Sequence, residues 1–170
     1  MSNSTSGPAP PRFPVEALEQ ARREGNYTIE CAATLFVAAF WFEPYRRYLW
    51  SFSLRNDVTQ AWRTYEVRKQ MPGVGCELWI KEAYPGYDGI TYVELKKVPA
   101  VWLMEIYERC RLVPCPDIFL EIDCSQQYVC DIIYDLTRAG IVAPGEAQTM
   151  FGKLNQLDSF GVDVNRIQDY

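Results

Sequence analysis

The longest apolar run in the chain covers residues 31–42, CAATLFVAAFWF, where Ala32, Ala33, Ala38 and Ala39 are interleaved with Leu35, Phe36, Phe40 and Trp41. Small residues among large ones suit close packing. The run predicts a buried helix over residues 28–43, ended or kinked by Pro44. At about a dozen residues it is too short to cross a hydrocarbon core of ~30 Å as a helix. Trp50, Phe52 and Leu54 then alternate with Ser51 and Ser53, a period of two that predicts a strand with one wet face. Asn56 or Asp57 can cap a further helix in which Val58, Ala61, Trp62 and Tyr65 recur at helical spacing, ending before Pro72-Gly73.

Two strands are expected next, over residues 76–83 and 90–98. The turn-rich Pro85-Gly86-Tyr87-Asp88-Gly89 between them reads as the tip of a hairpin. Pro99 opens a helix to residue 111, with Val101, Met104, Ile106 and Tyr107 as core positions. Over residues 117–123 Ile118, Leu120 and Ile122 alternate with Asp117, Phe119, Glu121 and Asp123, which predicts another strand. Ser125 caps a helix to residue 139 that stops at Gly140, and Pro144 starts a last one with Met150, Leu154 and Leu157 inward.

These elements predict an α+β domain over residues 15–160. A mixed or antiparallel sheet of about three to four strands is built around the central hairpin and packed by about four to six helices. Residues 1–14, with Pro8, Pro10, Pro11 and Pro14, read as a flexible lead. A short charged helix over 15–23 follows, and residues 161–170 form a short polar tail. There is no regular βαβ alternation and no glycine-rich phosphate loop, since Gly73-Val74-Gly75 stands alone. A nucleotide-binding sheet is therefore not expected.

Composition narrows the chemistry. The 170 residues include no histidine, which removes Ser-His-Asp and Cys-His catalysis, His-ligated zinc and histidine pH switching. A formal charge of −5 argues against a surface that coats duplex nucleic acid. The first residues carry no charged-then-apolar export pattern, so an intracellular protein, cytoplasmic or nuclear, with reduced thiols is expected. Cys110, Cys115, Cys124 and Cys130 lack the tight C-x2-C spacing of zinc sites and read as core packing, with no metal and no other cofactor.

Three functional readings emerge. The leading one is a non-catalytic protein-binding or assembly domain with a protein partner, compatible with a homo-oligomer. Trp79, Tyr84, Tyr87 and Tyr92 gather around the expected hairpin, and Trp and Tyr are enriched at binding hot spots. The alternative rests on Asp88, Glu94 and Lys96. A strand Asp followed by Glu-x-Lys resembles the Mg²⁺-dependent nucleases of the restriction-endonuclease-like class. That resemblance implies two carboxylates on the metal and a lysine stabilising charge. It needs Glu94 and Lys96 on one face of a strand, as alternate residues are. The third reading takes Arg46, Arg47, Arg63, Arg68 and Lys69, interleaved with aromatics over residues 45–69, as a grip for single-stranded nucleic acid. Asp117, Glu121 and Asp123 on the expected strand face are a weaker acidic group, read as a solvated surface.

Overall fold

The computed structural model describes residues 32–71, 74–82, 89–99 and 102–157. The run read as a buried helix is a strand, β1 (Ala32–Phe42). It pairs antiparallel with β2 (Arg47–Asn56) on one side and β5 (Ile90–Pro99) on the other. A strand flanked on both sides and covered on both faces is apolar along its length, and this conceals its period of two. Ala33 through Ala39 are all buried. The segment expected to be a helix after Asn56 is also extended. Asn56 does use its capping oxygen, accepting the Val58 and Thr59 N–H groups at 2.9 and 3.1 Å. It does so in a tight turn that leads into β3 (Trp62–Arg68).

β3 pairs with β2, and β4 (Glu77–Lys81) pairs with β3, so the five-stranded antiparallel sheet has the order β4-β3-β2-β1-β5. The two strands read as a hairpin therefore exist, but they are opposite edges of the sheet. Between Lys81 and Ile90 the chain passes from one edge to the other. The 117–123 strand is replaced by an irregular approach to a helix that begins at Glu121. Three helices follow β5: α1 (Leu103–Leu112), α2 (Glu121–Arg138) and α3 (Pro144–Leu157). The fold is α+β, with more strands than expected and, among the described residues, fewer helices. The expected helix over residues 15–23, the lead and the tail lie outside the described residues. No helix among the described residues is long and apolar enough to cross a membrane.

Parity separates the two faces of the sheet. Leu35, Val37, Trp50, Phe52, Leu54, Tyr65 and Val98 point to one side and are almost fully buried. There they meet Ile106 of α1, Tyr128, Ile132 and Leu136 of α2, and Phe151 and Leu154 of α3 in one hydrophobic core. α2 lies over β2 and β3, while α3 sits toward β5. Two buried phenols fasten α1, with Tyr65 Oη donating to the Tyr107 carbonyl at 3.3 Å and Tyr128 Oη to the Cys110 carbonyl at 2.6 Å. Gly140 ends α2 in the left-handed conformation (φ 73°) that a glycine adopts without strain. The three described helices all occupy one side; among the described residues no helix lies on the other, open face, although Thr34, Phe36, Ser53 and Thr64 at its centre are buried.

Candidate functional site: a cleft on the open face

Phe36, Ala38, Phe40, Ser51, Ser53, Arg55, Trp62, Thr64, Glu66, Trp79, Tyr92 and Glu94 have the parity of the open face. At its centre are short side chains. Ser53 and Thr64 are fully buried and share a hydrogen bond of 2.9 Å. Larger rings lean across them. Trp62 reaches Phe36 at 5.2 Å and Tyr92 at 5.7 Å between centroids, and Phe36 meets Tyr92 edge-on at 6.3 Å. The Arg55 guanidinium lies over Phe36 and Trp62 at 5.3 and 5.6 Å, an attractive placement for a cation on ring faces. Asp57 holds Arg55 Nε at 2.7 Å and accepts from the Thr34 hydroxyl at 2.7 Å. Burial pushes the Asp57 carboxyl up, but the Thr34 and Arg55 hydrogen bonds and the charges of Arg55 and Lys97 outweigh it and hold it below its ordinary value.

Beyond this cluster the sheet forks. β2 and β3 are paired only from Phe52↔Tyr65 to Arg55↔Trp62, yet β2 continues to Arg47 beside β1 and β3 continues to Arg68 beside β4. Leu49, Trp50 and Ser51 thus separate from Glu66, Val67 and Arg68, and a cleft of about 560 Å³ opens between them. Phe40 and Phe42 of β1 and Ile90 of β5 extend its wall over the open face, and Glu121 and Ser125 of α2 close its far end.

Strands that part expose backbone groups, and α2 supplies their partners. Ser125 Oγ accepts the Trp50 N–H at 3.2 Å, and Gln126 Nε2 donates to the Tyr48 carbonyl at 2.8 Å. Arg47 bridges Asp123 and Gln126, each at 2.7 Å. On the β3 side Glu66, only 7% exposed, is neutralised by Arg68 at 2.8 Å and Lys81 at 3.0 Å. The rim at the β1–β2 connection is aromatic. Phe40 is 44% exposed and Tyr45, 51% exposed, packs on Phe42 at 5.6 Å, whereas Trp41 has the parity of the helix side, where it packs edge-on against Tyr48 at 5.0 Å. An apolar cavity with a few fixed polar groups and an aromatic rim is suited to receiving an apolar side chain or segment.

The residues singled out from sequence fall elsewhere. Trp79 and Tyr92 share the open face but stand on β4 and β5, its opposite edges, so they form no cluster; Tyr84 and Tyr87 lie outside the described residues. Tyr92 instead joins Phe36 and Trp62. Asp88 is also outside the described residues. Glu94 and Lys96 do not share a face, because Leu95 is an extra residue in the β1–β5 ladder. Phe36 pairs with Glu94, and its neighbour Leu35 pairs with Lys96. The bulge turns Lys96 to the helix side, where Nζ meets Glu146 of α3 at 2.5 Å and the Ile141 carbonyl at 3.1 Å, and leaves Glu94 on the open side.

The basic segment is likewise divided. Arg46 is exposed in the β1–β2 connection, whereas Arg47 is tied to α2 and Arg68 to Glu66. Arg63 lies 4.1 Å over the Tyr107 ring on the helix side and pairs with Glu82, while Lys69 donates to the Ile118 carbonyl. Asp123 pairs with Arg47, and Asp117 and Glu121 lie in the approach to α2 and its first turn, not on a strand.

The five described cysteines are unbridged. Cys110 and Cys130 lie in the core. Cys124 donates its S–H to the Ile118 carbonyl at 3.1 Å, and burial pushes the Cys76 and Cys115 thiols up. Among the described residues no group of three or more Cys, Asp or Glu is arranged to hold a metal ion.

No family model matches the chain, and no curated protein or solved structure is significantly similar to it. The sequence alone does not single out the aromatic cleft. The density of rings around Pro44, with Phe40, Trp41, Phe42, Tyr45 and Tyr48 within nine positions, was the signal available.

Proposed function

We propose that this chain is a non-catalytic protein-binding or assembly domain, acting through aromatic contacts on the open face of its sheet. The observation that carries the reading is the forked cleft with the exposed rings of Phe40 and Tyr45 at its rim. Large exposed rings beside an apolar cavity are the usual anchors of a protein interface. The partner would insert an apolar side chain or short segment between β2 and β3 and cover the rim. The five described thiols, none of them bridged, are compatible with an intracellular setting. The nuclease reading gains nothing from the geometry, since its Glu and Lys face opposite ways. The single-strand reading gains little from cations that are dispersed over both faces and mostly paired with acids.

A photo-reactive phenylalanine analogue at position 40 tests the proposal, with position 59 on the far β2–β3 turn as control. Irradiation in cells should give discrete protein adducts from position 40 that are absent from position 59. Adducts to nucleic acid, or Mg²⁺-dependent cleavage of DNA or RNA by the wild-type protein, would overturn it.

A further inference from the structure

β4 is an edge strand of five residues, Glu77-Leu78-Trp79-Ile80-Lys81, and among the described residues it pairs with β3 alone. Natural proteins usually protect such an edge, because its outward N–H and C=O groups are a template for another strand. This edge is instead apolar at its centre, with Trp79 48% and Ile80 43% exposed. α2 packs chiefly over β2 and β3, and of the β4 residues only Leu78 is packed against the core.

The sequence of β4 is complementary to itself when read backwards. If two copies pair antiparallel about a two-fold axis through Trp79, Glu77 of each stands opposite Lys81 of the other. Leu78 then stands opposite Ile80, and Trp79 meets its own copy. Parity is preserved: residues 77, 79 and 81 share the open face, residues 78 and 80 the helix face. Both helix layers therefore lie on the same side of one continuous sheet. Two Glu–Lys pairs arise from one axis, whereas slipping the register by two residues sets Lys81 against Trp79 and loses both. The geometry points to a second copy of this chain as the occupant of the β4 edge, forming a ten-stranded sheet across the dimer. This inference is independent of the cleft, which lies between β2 and β3.

An edge of this length makes a small interface, roughly 17 Å long at strand rise, so the dimer is concentration-dependent. Sedimentation velocity over a dilution series should show a reversible monomer–dimer equilibrium. Glu77→Lys places like charges opposite each other twice per dimer and should weaken association about tenfold, or 1.4 kcal/mol. Lys81→Glu should do the same by the reciprocal clash. An equimolar mixture of the two variants should dimerise about as well as wild type, because both contacts in the mixed dimer are again opposite in sign. Lys81 also pairs with Glu66, so Ile80→Lys serves where Lys81→Glu fails to fold. It should abolish the dimer by setting a charge against Leu78 of the other copy, while leaving the unfolding midpoint of the monomer in place. A chain that stays monomeric at the highest attainable concentration would overturn the inference. So would a dimer insensitive to Glu77→Lys and Ile80→Lys, or a mixture of charge variants that fails to recover.

Discussion

Leu35 and Phe40 are five positions apart on β1 and point to opposite faces, so truncating each to alanine gives a sharp test of the layering. Leu35 is fully buried on the helix side, opposite Leu54 of β2 and Lys96 of β5. Leu→Ala in a closed core costs about 2–5 kcal/mol, the spread depending on how far the surroundings collapse. Strands bonded on both sides cannot close in on the lost volume, so Leu35→Ala should fall in the upper half, about 3–5 kcal/mol. Phe40 is 44% exposed at the cleft rim. Full burial of such a side chain is worth about 1.5–3 kcal/mol, and no sealed cavity forms on its removal, so Phe40→Ala should cost only about 1–1.5 kcal/mol. Urea titration followed by tryptophan fluorescence measures both, with an unchanged slope showing that the transition is still two-state. A buried helix over residues 28–43 would place both residues in the core and make the two losses similar. Equal losses would therefore refute the assignment of faces, and with it the cleft.

Two further outcomes follow from ionisation. Asp57 is held below its ordinary value of 3.8 when folded, so its contribution to stability is present above that value and is lost as pH falls through the lower folded value. Asp57→Asn should be less stable than wild type at neutral pH and flatter on acidification; parallel curves would contradict the Thr34–Asp57–Arg55 arrangement. Burial, with Cys124 beside it, pushes the Cys76 thiol up to about 12. Alkylation of native Cys76 by iodoacetamide at pH 8 should therefore be at least about 10²-fold slower than that of an unfolded thiol, because the thiolate is the nucleophile. Mass spectrometry of the labelled peptide at timed intervals reads the rate, and labelling as fast as in urea would refute it.

What the sequence discloses depends on whether an element reports only its own local environment. Trp50, Phe52 and Leu54 alternate because β2 has one face on the core, and Gly140 and Pro144 mark a helix end and start by local backbone chemistry. These features are legible. β1 is not, because a central strand covered on both faces loses its alternation, and its alanines favour a helical reading. Asn56 carries capping chemistry that serves a turn as well as a helix. The Ile118, Leu120 and Ile122 alternation is fortuitous: only Ile122 is fully buried, and it lies inside α2. The strands β4 and β5 are legible as strands but not as opposite edges, since pairing across a sheet is non-local. For the same reason the bulge at Leu95, which separates Glu94 from Lys96, is invisible until β1 is placed beside β5. The cleft, created where β2 and β3 stop pairing, is the least legible feature.

The fork is nevertheless built into the chain. Carrying the β2–β3 ladder to the ends of both strands would bring Ser51, Trp50 and Leu49 opposite Glu66, Val67 and Arg68, and its absence leaves their backbone groups in need of other partners. Ser125 and Gln126 are 2 and 0% exposed, and burying a hydroxyl and an amide is unfavourable unless each is hydrogen-bonded. Both are satisfied by the part of β2 that β3 has left, through Trp50 N–H and the Tyr48 carbonyl. Gln126 is further fixed by Arg47, itself bonded to Asp123. The polar first turns of α2 are thus matched to a parted sheet and would be mismatched to a closed one. Closing the fork would strip Ser125 and Gln126 of these partners while they remain buried. The open cleft is therefore the state in which sheet and helix are both satisfied, and on the proposed binding reading it stands open in advance of a partner. A site held in this way needs no rearrangement to receive an apolar anchor, which lowers the ordering cost of binding.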